Sequence, residues 1–428
     1  MTAHSHPRRE PRRIAVLHVE MGGAAGGSLD ALACYLAHSD RGRFAHDVLF
    51  YYAPPDIERF GRVAESVRVL FPGTLPRCAP AGRLHRRLPF RTFLREARSW
   101  MELGRVPVLA RLLAEMRGRR HDLIHVNNTF TYQPLTLAAA TLARVPVVAH
   151  VRNPVERGPF ARALASAARS IVTVNRAFEA ELRSRWPRLH VLTCHDGLEP
   201  PAADAGAAAA LRREFAPPGT VLIGSAGRLE AQKDYETLVR AARIVADRHP
   251  GVRFVVAGEG SLRASLEALA ATLGVVERFR FCGFRSDVAN FIGALDVFVC
   301  SSRWEGLPLA VLQAAMLGKP VVATDVGGNS EVVLPGRNGL LTPAADPDSL
   351  AQGILAVVGD VERYRMSAES LRPRALDLAD PRSSAARLDR AFAQAAGFPA
   401  PGAPNGAPSP AAPALTDNLP DREVEVTR

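Results

Sequence analysis

Arg228 and Lys233 follow the strand-like run TVLIGSAG, inside the stretch GSAGRLEAQKDYETL at 224–238. Two cations beside a strand end suit a diphosphate, whose negative charge grows as a bond to it breaks; an ordinary charged loop would look the same. Only two of the 54 basic residues are lysines, Lys233 and Lys319, so a lysine at this place favours a specific need for an ammonium. A second constellation occupies 301–333, SSRWEGLPLAVLQAAMLGKPVVATDVGGNSEVV. Pro308 fits a first helical turn, Gly318 a helix end and Pro320 a stop, which predicts a helix over 308–317. Gly306, Leu307, Pro308 and Leu309 then form a turn whose free backbone N–H groups, with the positive end of the helix dipole, suit a phosphate. Glu305 precedes that turn, placed either to accept hydrogen bonds from sugar hydroxyls or simply to favour the helix start. Gln313 is the one strongly polar side chain among Leu309, Val311, Leu312, Ala314, Ala315 and Met316. An unpartnered amide is costly to bury, so Gln313 needs a ligand hydroxyl or a nearby backbone group. Gly327 and Gly328 permit close approach to a ligand or a plain strand-to-helix turn. The turn Gly258-Glu259-Gly260 is weak evidence alone, and the turn at Gly283, Phe284 and Arg285 can hold a base through backbone groups.

These residues need elements to position them. Strand-like runs at 14–20, 47–52, 122–128, 145–151, 170–175 and 190–194 alternate with helical stretches, and a second alternation runs through TVLIGSAG, FVVAGEG, RFRFCG, DVFVCSS and PVVATDVGG. Strands separated by helices at this spacing imply parallel sheets covered on both faces. The fold class is therefore α/β, with two Rossmann-like domains facing across a cleft, where ligands are expected at the carboxyl ends of the strands. A Pro/Ala/Gly-rich stretch at 200–219 reads as the domain junction. The expected divisions are a disordered basic N-terminus (1–13), a first domain (14–195), a second domain (196–370), a C-terminal helix packing back towards the first (371–396) and a disordered Pro/Ala-rich tail (397–428).

The 428 residues are 47% hydrophobic and 23% charged, without an apolar stretch near the ~20 residues needed to span a bilayer. The start, MTAHSHPRREPRR, runs straight into a strand-like segment and lacks a signal peptide's apolar core. The five cysteines are scattered, without CxxC spacing, which argues against a disulfide framework and a zinc site. A cytoplasmic location is expected. The net charge of +11 is carried by an arginine-rich background, and without a recognised module nucleic acid is not an expected partner. Residues 77–120 hold twelve arginines against three acids, with Leu88, Phe90, Phe93, Leu94 and Trp100 among them. This segment could rest on an anionic membrane surface, making the protein peripheral to the membrane, or form a solvated helical face.

The runs GRL-x-x-x-K-x-x-x-x-L at 227, VVAGEG at 255, FCGFRSDV at 281, SSRWEGLPL at 301, GKPVVATDVGG at 318 and GRNGLLTP at 336 lie in one order over about 120 residues. In this the C-terminal half resembles the GT-B glycosyltransferases of family 4, the retaining, metal-independent glycosyl transferases group 1. CHDGLEP at 194–200 is similar to that family's hinge, with Asp196 and Glu199 as departures. The resemblance implies Arg228 and Lys233 as diphosphate contacts, Glu305 as the contact to donor-sugar hydroxyls, Gly306, Leu307, Pro308 and Leu309 as the phosphate turn, and Phe284 and Arg285 near the nucleobase. Gln313 stands where the family's second acid bonds the ribose, so altered or weaker nucleotide binding is expected. In the first domain, Gly23 lies in a glycine loop similar to the one near acceptor and donor phosphate. Arg152 matches the family's His or Arg after the VPVV strand, with His150 two residues before it. The implied activity is retaining transfer of a sugar from a UDP-, GDP- or ADP-sugar to a glycan, lipid-linked or small-molecule acceptor, in bacterial cell-surface polysaccharide, glycolipid or related glycoconjugate synthesis. No cofactor and no metal are implied. Open alternatives are a nucleotide-sugar epimerase or hydrolase of the same architecture, and a catalytically impaired, partner-dependent nucleotide-sugar binder.

Overall fold

The computed structural model describes residues 12–22, 26–71 and 106–399, with the backbone of 425–426. The first sheet contains β1 (Ile14–Gly22), β2 (Phe44–Tyr52), β3 (Ser66–Phe71), β4 (Leu123–Val126), β5 (Val147–Val151), β6 (Ser170–Thr173) and β7 (Val191–Thr193). The second contains β8 (Val221–Ala226), β9 (Val252–Ala257), β10 (Phe279–Phe281), β11 (Val297–Cys300), β12 (Val321–Thr324) and β13 (Gly339–Thr342). A short β14 (Glu425–Val426) pairs with Arg68 and Val69 of β3, so the tail expected to be structureless holds one edge strand. The first sheet runs β14-β3-β2-β1-β4-β5-β6-β7 and the second β10-β9-β8-β11-β12-β13. All pairings are parallel, which requires crossover connections and buries both faces of each sheet. Strand order reverses between β1 and β4 and again between β8 and β11. Such switch points open the crevices in which ligands bind.

Besides β14, two strands escaped the sequence reading. In β3, SVRVLF, Arg68 interrupts the apolar pattern, yet it is 3% exposed because Glu115 lies 3.1 Å away and Asp47 beside it. In β13 the signal is short and starts at Gly339, whose added Cβ would come within 1.7 Å of the Val321 carbonyl oxygen. Of the arginine-rich segment, 77–105 lies outside the described residues. The remainder forms helix Val106–Gly118, which buries Leu112 and Met116 and leaves Arg117, Arg119 and Arg120 exposed. Among the described residues no helix is long and apolar enough to cross a membrane.

After the second sheet the chain returns to the first domain as helix Pro381–Ala396. Asp380 caps it by accepting from the Ser383 amide at 2.7 Å, and Pro381 fills its first turn. Leu388 and Phe392 pack in one core with Val16, Leu36 and Phe44. Tyr35 donates to the buried Asp389 carboxylate at 2.7 Å. The first domain is thus completed by residues far along the chain, which fixes its position relative to the second.

Candidate functional site

Loops leaving β8 and β11 meet at the second switch point. Lys233 Nζ donates to Glu305 Oε1 at 2.6 Å, and Ser302 Oγ donates to the same oxygen at 2.5 Å. Glu305 is 4% exposed, so its charge is balanced almost entirely from within the protein. The two residues assigned separate roles from sequence therefore form one ion pair. Backbone and side-chain bonds hold the two loops together: Ser301 Oγ donates to the Lys233 carbonyl at 2.8 Å, and Gln232 Nε2 donates to the Trp304 carbonyl at 3.1 Å. Arg228, in the loop that follows β8, is exposed. A lysine ammonium has three donors, so Lys233 can keep Glu305 and still bond an anion.

The helix after Glu305 spans Leu309–Met316, with Pro308 at its cap and Leu307 buried. Opposite it stands the start of helix Gly27–His38, so close that a Cβ on Gly27 would lie 2.9 Å from Leu309 Cδ1. Two helix N-termini thereby converge on the cleft, each with free amides and the positive end of a dipole. Gly23 lies outside the described residues. Gly327 and Gly328 do approach closely, but to protein: Gly327 has φ 52°, and its added Cβ would sit 1.9 Å from the Glu305 carbonyl oxygen. Gly306 presses on the first domain, where Asn175 Nδ2 donates to its carbonyl at 3.0 Å.

Gly258 also serves the neighbouring loops. It has φ 152°, its added Cβ would meet Gly227 O at 1.9 Å, and its amide donates to Gly283 O at 2.7 Å. Phe284 stands 77% exposed at the rim, while Arg285 makes a two-point pair with Asp287 at 2.9 and 2.7 Å. Gln313 is half-buried on the helix Leu309–Met316.

On the first-domain side, Arg152 is committed to protein partners. Its Nε donates to the Asn127 carbonyl at 2.9 Å, Nη2 to Asn127 Oδ1 at 3.2 Å, and Nη1 pairs with Asp196. Burial pushes the Asp196 carboxyl above its ordinary range, although the Arg152 charge opposes this. Asn127 Nδ2 also donates to the buried Glu20 at 2.5 Å, and burial raises the Glu20 carboxyl too. Sequence reasoning missed Glu20 and Asn127. Their signal was positional, since Glu20 closes one strand-like run and Asn127 directly follows β4 in another, both at the first switch point. His150 is buried and held neutral by burial and by Arg152. It adjoins a row of buried histidines in which His18 bridges His46 at 3.0 Å and His125 at 2.9 Å.

Residues 220–360, which carry Arg228, Lys233, Glu305 and the helix start, match the family described as glycosyl transferases group 1. This segment belongs to that family. The group 1 domain is 36% identical over 144 residues to the lipopolysaccharide core biosynthesis glycosyltransferase LpsE of Rhizobium meliloti, a match covering 34% of this chain and 41% of that one. A longer alignment, 27% identical over 337 residues, covers 73% of this chain and 84% of a GDP-mannose-dependent alpha-mannosyltransferase of Mycobacterium tuberculosis. The whole fold is similar to that of HepE of Anabaena, solved with UDP and glucose, with a TM-score of 0.72 and 19% identity over 89% of this chain and 100% of that one. The two domains flanking the group 1 site have the GT-B fold.

Proposed function

We propose that this protein is a glycosyltransferase that moves a sugar from a nucleotide-diphosphate donor to a hydroxyl acceptor in polysaccharide or glycolipid synthesis. The observation that carries this reading is the Lys233–Glu305 ion pair, its carboxylate buried, beside two converging helix starts. A relative named for GDP-mannose and a structural neighbour solved with UDP and glucose support a nucleotide sugar and leave the base to experiment. In this reading the diphosphate lies against Arg228, Lys233 and the amides between Gly306 and Leu309, and these charges stabilise it as it leaves. Glu305 accepts from donor-sugar hydroxyls and orients the ring. Phe284 and Arg285 flank the base, and Gln313 reaches the ribose. The acceptor hydroxyl enters from the first domain on the face of the leaving diphosphate. Its oxygen bonds the anomeric carbon as the carbon–phosphate oxygen bond breaks, its proton passes to the diphosphate, and configuration is retained. The arginine-rich 77–120 would bring the enzyme to a membrane carrying a lipid-linked acceptor, which flotation with anionic liposomes tests.

Thermal shifts of the full chain with UDP, GDP and ADP, followed by their sugars, identify the donor. Product analysis with and without acceptor then separates transfer from hydrolysis or epimerisation. Failure of every nucleotide diphosphate to raise the melting temperature would overturn the reading.

A further inference from the structure

Cys34 and His38 lie one turn apart on helix Gly27–His38, so both project from one face. Glu199, on the segment linking the domains, reaches them from the other side. Among the described residues this is the one group of His, Cys and acid side chains placed to hold a metal ion, with its ligand atoms all within 4.8 Å of one another. The ring of His38 is already oriented. Its Nδ1 lies 3.0 Å from the Cys34 carbonyl oxygen, which can only accept, so Nδ1 carries hydrogen. That leaves Nε2 facing Glu199 Oε1 at 3.3 Å. A backbone bond that fixes the far nitrogen in this way is the usual support of a histidine metal ligand.

We infer that Cys34, His38 and Glu199 bind one Zn2+ ion through thiolate, imidazole and carboxylate, with solvent in a fourth position. The mixed sulfur, nitrogen and oxygen set suits tetrahedral zinc, whereas Mg2+ and Ca2+ take oxygen ligands. The CxxC patterns sought in sequence could not reveal it, because the third ligand comes from 161 residues beyond His38. Burial first, and then the charges of Glu199, Asp196, Asp380 and Asp30, push the Cys34 thiol up to about 12. The same acids favour a dication. On binding, the sulfur–zinc bond forms as the thiol proton leaves to solvent, and no electrons are transferred.

The site is packed against the interdomain segment. A Cβ on Gly197 would lie 3.4 Å from Cys34 Sγ and 2.8 Å from Pro381 Cα. Bound zinc therefore ties the first-domain helix to the linker, at a place separate from Lys233 and Glu305. The inference stands independently of sugar transfer.

The test uses the full chain stripped with chelator and titrated with Co2+, whose thiolate charge-transfer and tetrahedral bands report the ligands. The expected result is one Co2+ per chain, displaced by Zn2+, with the charge-transfer band absent in Cys34→Ser and kept in Cys282→Ser. Glu199→Gln changes an exposed side chain and should fold normally, yet weaken Co2+ binding by at least about tenfold. Zn2+ should raise the melting temperature of the wild type more than that of Glu199→Gln. Absence of the charge-transfer band at one equivalent, its survival in Cys34→Ser, or unchanged affinity in Glu199→Gln would overturn the inference, leaving the group as a simple His38–Glu199 pair.

Discussion

Lys233 and Glu305 are the residues on which chemistry and stability meet. Removing Lys233 leaves a carboxylate 5% exposed without its ammonium, a much costlier state than removing both partners. Lys233→Ala and Glu305→Ala should each reduce turnover by roughly 10²–10³-fold. The double variant Lys233→Ala/Glu305→Ala should melt higher than Lys233→Ala while remaining as inactive. A double variant melting no higher would show that the pair is solvated in solution. Gln313 permits a gain-of-function test. If its side chain faces the ribose, Gln313→Glu replaces a neutral hydrogen bond with a charge-assisted one, and calorimetry should show nucleoside diphosphate binding about tenfold tighter, or ~1.4 kcal/mol. Unchanged affinity would place the ribose elsewhere.

At the scale of elements, the loops around the site pack closely because side chains are missing between them. Gly327→Ala meets both a positive φ of 52° and the Glu305 carbonyl at 1.9 Å, whereas Gly336→Ala meets a φ of 77° and nothing within 4 Å. Both variants bear backbone strain of about 1–3 kcal/mol. Only the first should displace Glu305, so turnover per folded molecule should fall in Gly327→Ala and not in Gly336→Ala. The β2 carboxylate Asp47 sets an acid limit for the first domain. Burial alone would raise it, but hydrogen bonds from His121 and Ser66 and the charge of Arg68 hold it at about 2. A carboxyl below its unfolded value of about 3.9 contributes stability above pH ~4, lost as pH falls towards 2. Asp47→Asn should flatten the decline of the urea midpoint over that interval, and an unchanged slope would count against this assignment.

For the whole molecule, the relative placement of the domains depends on a few polar contacts around an apolar seam, the buried cluster that joins Val155 and Val174 of the first domain to Leu307 and Val333 of the second. Glu331 of the second domain accepts from the Arg176 amide at 2.7 Å, where it caps a first-domain helix, and meets His195 Nε2 at 2.7 Å. Burial pushes the Glu331 carboxyl up, but the His195 and Arg176 bonds and charges outweigh it and leave it below 4.5. The contact therefore strengthens the observed placement of the domains above pH ~4.5 and fades as pH falls below that value. Glu331→Gln should enlarge the radius of gyration in small-angle scattering at neutral pH and raise KM more than it lowers kcat. Identical scattering would mean that the apolar seam alone holds the domains.

The amino-acid pattern determined two parallel-sheet domains, because helix and strand periods are local properties, and it brought Arg228, Lys233, Glu305 and the Pro308 helix start into view through their positions at strand ends. Boundaries at β3 and β13 were not legible, since a buried arginine and a strained glycine contradict the local pattern and are tolerated only by partners elsewhere. Tertiary structure alone decided that Lys233 and Glu305 neutralise each other, that Arg152 is bound to Asp196, and that Gly327 accommodates protein backbone. It also decided that Cys34 and His38 meet Glu199 and that the last long helix completes the first core. Each of these depends on side chains distant in sequence, whose charges and volumes interact only once the chain has folded back between its domains.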